Sequence, residues 1–491
     1  MNLRNISNFT DNEYKQQAQH KNFSMIANIM SGVNFSSNKV LYTLYNENIH
    51  NFQKTETVAN LTALKTDYHG GSSNLNGVIF NNIKDYSCGN NISVIDKKGD
   101  MGSRLDPTCA APRYNFVRKD KSFDLLFKKD DTKIIPRYEF EGEYIEYKFM
   151  LFILPLLVIN GNEGLGSGHA QKILPRNISE IAQYIKNSLL QKDNIELYPS
   201  YKDFNGVVEQ RENINQWKIS GIINRKTKTK TEIIEVPVNE TYKSMIKKLD
   251  LLKDNKVIRD YDDLCDTRED KFYFIIKHDN FEDLSDTELL SKFKLIYNVT
   301  ENYTVINEKN ALVVFEDIYK LLDYYINIRL EYYQKRKDYL LQEMLNDLKI
   351  LRNKRCFIES VNNKSIDITN KSKKELEATL YNLTLDKIDN SYDYLLSMKF
   401  YNITSEKIEE LNKKISELED RYNNYLNKDI KEIWIEEIDE LLKALGIKKE
   451  VKKTRAKRNE KVELEPIEIS DEGKKVLDDI DTKISSIMNM F

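Results

Sequence analysis

Glycine is spread so unevenly along this chain that it splits the folds open to it in two. Eleven of the sixteen glycines lie between Gly70 and Gly168, and none occurs between Gly221 and Gly446. A glycine-dense stretch supplies tight turns and close backbone approaches, whereas a long stretch without glycine can run as uninterrupted helix. The first part is therefore expected to be compact and turn-rich, and the last part helical. The chain has 491 residues, and at roughly 100–200 residues per domain about three domains are expected. Charged residues make up 31% and the mean hydropathy is -0.60, a balance that suits a charge-laced, water-facing protein.

Residues 1–30 are polar and form an expected N-terminal arm or short helix, too polar for a signal peptide. Beyond them, Val40, Leu41, Leu44 and Tyr45, then Val58, Leu61 and Leu64, then Leu75, Val78, Ile79 and Ile83 fall at helical spacing. Strand-like runs follow at Ile92–Ile95 and Tyr114–Val117. A winged helix-turn-helix fits residues 31–172, as do other small α/β domains. The apolar run Phe149–Ile159 (FMLFILPLLVI) contains Pro155 and falls short of the ~20 residues that cross a bilayer, so it is expected in the core and no membrane partner is expected.

Residues 173–311 carry a mixed α/β pattern. Within it Lys226, Lys228 and Lys230 alternate with threonines, and at strand periodicity they would share one face. That face is either a lysine-guarded edge strand or a track for DNA phosphates. From Leu312 the pattern is helical: Leu330, Tyr333, Lys337, Leu340 and Met344 form one stripe. Ile408, Leu411, Ile415, Leu418, Tyr422 and Tyr425 form another at heptad spacing. Two long helices flanking an insert at about residues 351–399 are expected, as an antiparallel coiled coil or as ordinary bundle packing. The tail, residues 446–491, has a basic run at Lys448–Lys461 and an acidic one at Glu463–Glu472, and is expected to be flexible and solvated or to touch nucleic acid.

The chemistry concentrates at Gly99–Val117, GDMGSRLDPTCAAPRYNFV. A tyrosine hydroxyl next to a guanidinium can attack a phosphodiester, provided its proton is removed and its anion supported, because a free phenol has a pKa of ~10. Arg113 stands beside Tyr114, Arg104 and Lys97 lie nearby in sequence, and His69 in DYHGG is a candidate base or hydrogen-bond donor. The second glycine cluster, Asn160–Gly168, lacks the Lys-Ser/Thr ending of a phosphate-binding loop and the spacing of a dinucleotide site. Its Leu165 is either a wedge for insertion between base steps or a residue packed inward. Cys88, Cys109, Cys265 and Cys356 are too scattered for a zinc site or a disulfide framework, which points to a reducing, cytoplasmic setting. The Asp478–Asp481 run sits in a helical pattern rather than at a strand end, so no metal site is expected in the chain. A net charge of -3 excludes a uniformly basic coat but not a local basic groove.

Residues 99–117 resemble the active-site segment of type IIA DNA topoisomerases, in which G-x-x-G-[ST]-R-L leads to an A-x-R-Y pair. Other stretches agree in the same order. TVANLTALKTDYHGGSSNL resembles the family's helix and histidine-glycine turn, and PLLVINGNEGLGSGHAQKILPRN its glycine loop. IIEVPVNETYK resembles the tower strand, IRLEYYQKRKDYLL the outgoing coiled-coil helix, and SYDYLLSMKFYNITSEKIEELNKKISELEDRYNNYL with WIEEIDELLKAL the returning one. In length the chain is similar to the separate medium subunits of T-even-type phage enzymes. The resemblance implies a multidomain α+β fold: a winged-helix DNA-gate domain (31–172), an α/β tower (173–311), and a long antiparallel coiled coil (312–445) with a helical dimerisation domain at its tip.

It also implies a homodimer on double-stranded DNA in which Tyr114 forms a 5′-phosphotyrosine link. Arg113 would stabilise the phosphate, His69 would match the family's histidine, and Leu165 would take the place of the intercalating isoleucine. Lys39, Lys65, Arg104, Lys226, Lys228 and Lys230 are the expected DNA contacts. No stretch resembles the family's ATPase domain or its acidic metal cluster, so ATP and Mg2+ are expected on a separate partner subunit, in the host cytoplasm if a phage encodes the chain. Two positions depart: Asn38 stands where the family pattern has arginine, and Thr57 where bacterial members have arginine. Composition and heptads alone are equally met by a non-catalytic coiled-coil DNA-binding or scaffold protein.

Overall fold

The computed structural model describes residues 9–366, 372–388, 390–398 and 403–447, all within one compact unit, Met1–Lys453. The charged runs expected at Lys448–Lys461, Glu463–Glu472 and Asp478–Asp481 lie outside the described residues. Among the described residues no helix is long and apolar enough to cross a membrane.

Three helices and three short strands open the structure after an N-terminal helix, α1 (Lys15–Met25). Helix α2 (Phe35–Asn46) starts where the Asn34 side chain accepts a hydrogen bond from the Ser37 N–H, satisfying one of the helix's open donors. Its Val40, Leu41 and Leu44 are buried. Strand β1 (Gln53–Lys54) runs directly into α3 (Thr55–Lys65), followed by α4 (Ser72–Asn82), β2 (Ile95–Lys98) and β3 (Phe116–Lys119). The sheet is antiparallel with order β1-β3-β2. The expected strands at Ile92–Ile95 and Tyr114–Val117 begin a few residues later. Ile92 and Val94 are buried without joining a ladder, and Pro112–Tyr114 winds into a 3-10 turn.

Phe149–Ile159 is buried throughout, as the apolar pattern requires. Pro155 stands just before the short helix Leu156–Asn160, a position at which its missing N–H costs no helical hydrogen bond. This run lies in the largest core cluster, which also takes in Ile181 and Ile185 from α5 (Ile178–Leu189), Leu321, Leu322 and Tyr325 from α7, and Trp434, Ile438 and Leu441 from α10. Here α7 is Ile318–Asn362 and α10 is Ile430–Ala444.

A second cluster (Ile233, Met245, Leu249, Phe274, Ile276, Leu289 and Phe293 among others) fills a smaller body. It comprises the antiparallel sheet Ile222–Thr227, Lys230–Glu235, Phe274–Lys277 and Asp260–Asp263, in that spatial order, with α6 (Tyr242–Asp254) and the helix Asp286–Lys292. In the last part, α7 runs for 45 residues without glycine. It pairs antiparallel with α9 (Ser405–Asn427): Arg352 bonds to Glu419, Arg355 to Asn412, and Lys337 Nζ donates to the carbonyls of Leu426 and Lys428 at the C-terminal end of α9. A third cluster at the far end gathers Phe357, Ile358, Leu380 from α8 (Lys373–Asn382), Leu385, Tyr392, Leu395 and Leu411.

Two buried charge networks join these parts. Arg176 and Glu301 are both fully buried and make a two-pronged pair at 2.6 Å; the Glu301 carboxylate also accepts from the Leu174 N–H, Trp217 Nε1 and the Tyr303 hydroxyl. At the root of α7, Asp131 accepts from Arg329 at 2.6 Å, and Arg336 spans from Asp131 to Glu437. The guanidinium groups of Arg329 (4.0 Å) and Arg336 (4.5 Å) both lie over the Tyr333 ring, which also stacks on Trp434.

Burial alone would push the Glu301 carboxyl up; the Arg176 guanidinium and the hydrogen bonds from Arg176, Leu174 and Tyr303 outweigh it and hold the carboxyl below its usual range. The stabilisation from that carboxylate is therefore present above the unfolded-state pKa of ~4.3 and is lost as pH falls through the depressed native value. Glu301→Gln is expected to cost about 3–5 kcal/mol at neutral pH, because Arg176 stays buried without its counter-charge. It should also flatten the acid limb of the stability-against-pH curve, measured by denaturant unfolding from pH 7 downward.

Candidate active site

Tyr114 ends the loop that connects β2 to β3, and this loop is tied down at both its base and its tip. At the base, the Ala110 N–H donates to the Asp100 carbonyl at 3.0 Å, and the Asn115 carbonyl accepts from the N–H of Thr55, the first residue of α3, at 2.9 Å. Gly99 has φ +117, and a Cβ there would stand 2.4 Å from Asn115 Oδ1, so the close crossing of the two loop ends requires glycine. At the tip, Leu105 is buried in the second core cluster. The backbone N–H groups of Arg104 and Leu105 both donate to the Asp270 carboxylate at 2.9 Å. The Arg104 guanidinium bonds to Glu235 at 2.7 Å and to the Val236 carbonyl at 2.8 Å.

The 3-10 turn Pro112–Tyr114 packs on α3 and points Tyr114 outward, 66% exposed. Its hydroxyl has no hydrogen-bond partner among the described residues. Arg113 is exposed too; its guanidinium lies 5.4 Å from the Tyr114 ring and forms no ion pair among the described residues. The sheet register places Lys54 and Lys98 on either side of Phe116, two residues from Tyr114, and both are exposed. Sequence alone did not single these lysines out, because they come from strands more than forty residues apart. A guanidinium without an ion pair among the described residues, a projecting phenol and two exposed lysines on the neighbouring strands suit attack on a polyanion.

The cluster Asn160–Gly168, expected as a loop, forms most of a β-hairpin, Asn162–Leu165 against Ala170–Ile173. Leu165 stands at its end, 70% exposed, which rules out the inward-packed alternative in this structure. Helix α1 braces the tip: Asn22 accepts from the Ser167 N–H at 2.6 Å and donates to the Ser167 carbonyl at 3.2 Å. A Cβ on Gly166 would come within 2.1 Å of Asn22 Oδ1, so the brace needs glycine at that position.

Residues 25–439 match the protein family of DNA gyrase/topoisomerase IV A-type subunits. The chain belongs to this family. Among similar proteins, DNA topoisomerase 2 of Plasmodium falciparum (isolate K1 / Thailand) is 27% identical over 486 residues, covering 90% of this chain and 34% of that protein. The DNA topoisomerase medium subunit of Enterobacteria phage T4 is 29% identical over 425 residues, covering 84% of this chain and 92% of that phage protein. The chain thus spans about a third of the long eukaryotic relatives and nearly all of the phage one. The mixed helix and strand architecture matches a crystal structure of the Plasmodium falciparum topoisomerase II DNA-binding, cleavage and re-ligation domain. The TM-score is 0.79 at 27% identity, covering 89% of this chain and 64% of that one.

In this member of the gyrase/topoisomerase IV family, several expected DNA contacts have other occupations. Lys39 is buried, bonded to Glu146 and at 2.5 Å to the Thr66 carbonyl; its charge is neutralised inside the domain. Asn38, in place of the family's arginine, donates to the Tyr147 carbonyl and accepts from the Met150 N–H, both at 3.0 Å, so it staples α2 to the core. Arg104 is only 6% exposed and serves as the loop's anchor, correcting its expected role on DNA. Lys226, Lys228 and Lys230 do not share one strand face, because the chain reverses at Lys228-Thr229 with Thr227 opposite Lys230. Lys226 and Lys228 pair with Glu232 (2.5 Å) and Glu282 (3.0 Å), and the hydrogen bond to Glu232 raises the Lys226 pKa.

Lys230 is exposed, and three more of the singled-out residues also lie at the surface. Lys65 lies half-exposed, 3.3 Å from Glu47. Thr57 is exposed on α3. His69 is exposed in the α3–α4 turn, with Nδ1 at 2.9 Å from the Asp67 carbonyl. Among the described residues no group of three or more His, Cys, Asp or Glu could hold a metal ion.

Arg104→Ala leaves the Glu235 carboxylate buried without its partner, a change of about 3–5 kcal/mol. Denaturant unfolding is expected to show that loss, and limited proteolysis to cut faster within residues 99–111.

Proposed function

We propose that this chain is the DNA-breaking and rejoining subunit of an ATP-dependent type II DNA topoisomerase. The observation that carries the reading is an exposed Tyr114, beside an Arg113 without an ion pair among the described residues, on a loop anchored at base and tip. Tyr114 Oη gives up its proton and forms a bond to a backbone phosphorus; the P–O3′ bond breaks, and the 3′ oxygen leaves and takes up a proton. The reverse step rejoins the strand without outside energy, since one phosphodiester is exchanged for another. Arg113, with Lys54 and Lys98, offsets the charge on the crowded phosphate. His69 is the proposed further donor or base at the site, and Lys65 a proposed phosphate contact.

The order α2, β1, α3, α4, β2, β3 supports reading the first body as a winged helix, with the Tyr114 loop as its wing. In this reading residues 1–30 are the arm, 31–172 the DNA-gate domain, 173–311 the tower, and 312–445 a coiled coil whose tip cluster makes the dimer. The tail after 446 completes the scheme. Two copies cut opposite strands, Leu165 enters between base steps and bends the DNA, and passage of a second duplex relaxes or decatenates it. Type II topoisomerases use Mg2+ and ATP. By the same likeness to the phage medium subunit, both are assigned to a separate partner subunit, and no step above is routed through them. The phage protein among the relatives suits action in a host cytoplasm.

With the partner subunit, DNA and Mg2+, detergent denaturation is expected to trap the chain covalently on DNA, and Tyr114→Phe to yield no adduct. An adduct at the wild-type level from that variant would remove the catalytic assignment and leave a DNA-binding or scaffold role. Leu165→Ala removes an exposed side chain, so stability should change by less than about 0.5 kcal/mol, while DNA bending measured by fluorescence energy transfer falls.

A further inference from the structure

Asn115 follows Tyr114 and points the opposite way. It is fully buried, whereas Tyr114 is 66% exposed. Its Nδ2 donates to the Ala110 carbonyl at 3.0 Å, its N–H to the Pro112 carbonyl at 3.3 Å, and its carbonyl accepts from the Thr55 N–H at 2.9 Å. Its Oδ1 lies against Gly99, whose missing Cβ would stand 2.4 Å away, and has no hydrogen-bond partner among the described residues. One residue therefore ties the tyrosine's backbone to the preceding loop, to the start of α3 and to the opposite strand end.

We infer that Asn115 is a positioning residue for Tyr114: its buried amide sets the direction in which the phenol leaves the turn and hence where Oη meets the phosphorus. The inference rests on the assignment of Tyr114 as nucleophile. The hydroxyl lies at the far end of a long side chain, so a small rotation of the peptide between Tyr114 and Asn115 is amplified at Oη. A side chain of another type does not serve. Alanine leaves the Ala110 carbonyl without its donor, and aspartate turns an acceptor toward that carbonyl while keeping the volume. Gly99 belongs to the same device, since only glycine lets Asn115 reach across.

The test compares wild type, Asn115→Ala, Asn115→Asp and Tyr114→Phe in the assembled enzyme, with Mg2+ and its partner subunit. A labelled duplex reports DNA affinity and the single-turnover rate of covalent adduct formation. The expected result for both Asn115 variants is a rate lower by about 100-fold, the scale of a displacement near 1 Å at a reacting atom, with DNA affinity unchanged. A wild-type rate in either variant overturns the inference. So does a loss of affinity in step with the rate, which would make Asn115 a folding residue of the loop. Adduct formation by Tyr114→Phe is a separate failure, that of the nucleophile assignment itself.

Discussion

The ion pair between Arg104 and Glu235 helps fix the geometry of the loop proposed to carry the chemistry. A loop of this length between two short strands would ordinarily sample many conformations, and the conformational entropy of ordering it is large. Here the tip is held by a buried guanidinium, by two N–H groups on the Asp270 carboxylate and by Leu105 in a neighbouring core. With the tip held, the base needs only the Gly99–Asn115 crossing and the bond to Thr55 to determine how Tyr114 leaves the turn. The loop thereby couples the β1-β3-β2 sheet to the second sheet, so the bodies that carry the tyrosine and the lysine hairpin share one anchor.

Buried charge recurs wherever one part of the molecule meets another. Arg176 and Glu301 join the Leu165 hairpin to the strands that lead into α7, and Asp131, Arg329, Arg336 and Glu437 root the long helices in the first core. Each of these groups would be costly to bury alone and is tolerated because its partner is aligned and hydrogen-bonded. Such pairs require one relative placement of the elements, whereas apolar packing accepts several. The proposed function, with a phenol and a leucine held at defined positions on one rigid duplex, benefits from that selectivity.

The apolar pattern made much of the fold legible. Val40, Leu41 and Leu44, Leu75 and Ile79, and Leu411 and Ile415 are all buried on the helices their spacing implied, because helical period and burial are two views of one constraint. Phe149–Ile159 went to the core for the same reason. Charged residues were less legible. Lys39 and Arg104 carry the same charge as Arg113, yet the first two are internal anchors and the third is free of ion pairs among the described residues. Nothing local to a lysine or arginine reveals whether a carboxylate from a distant segment will meet it. The lysine run at 226–230 failed differently: alternation suggested a strand face, but a two-residue turn fell in its middle.

By itself the sequence determined where helices and tight crossings had to lie, since glycine spacing and apolar period act over a few residues. It also determined the tyrosine-arginine pair and, through its ordered likeness to topoisomerases, the family. Tertiary structure alone decided which cations face outward, that Lys54 and Lys98 flank Phe116, two residues beyond the tyrosine, and that Leu165 projects. Those outcomes depend on pairings between residues tens to hundreds of positions apart, and such pairings become definite only when the whole chain is packed.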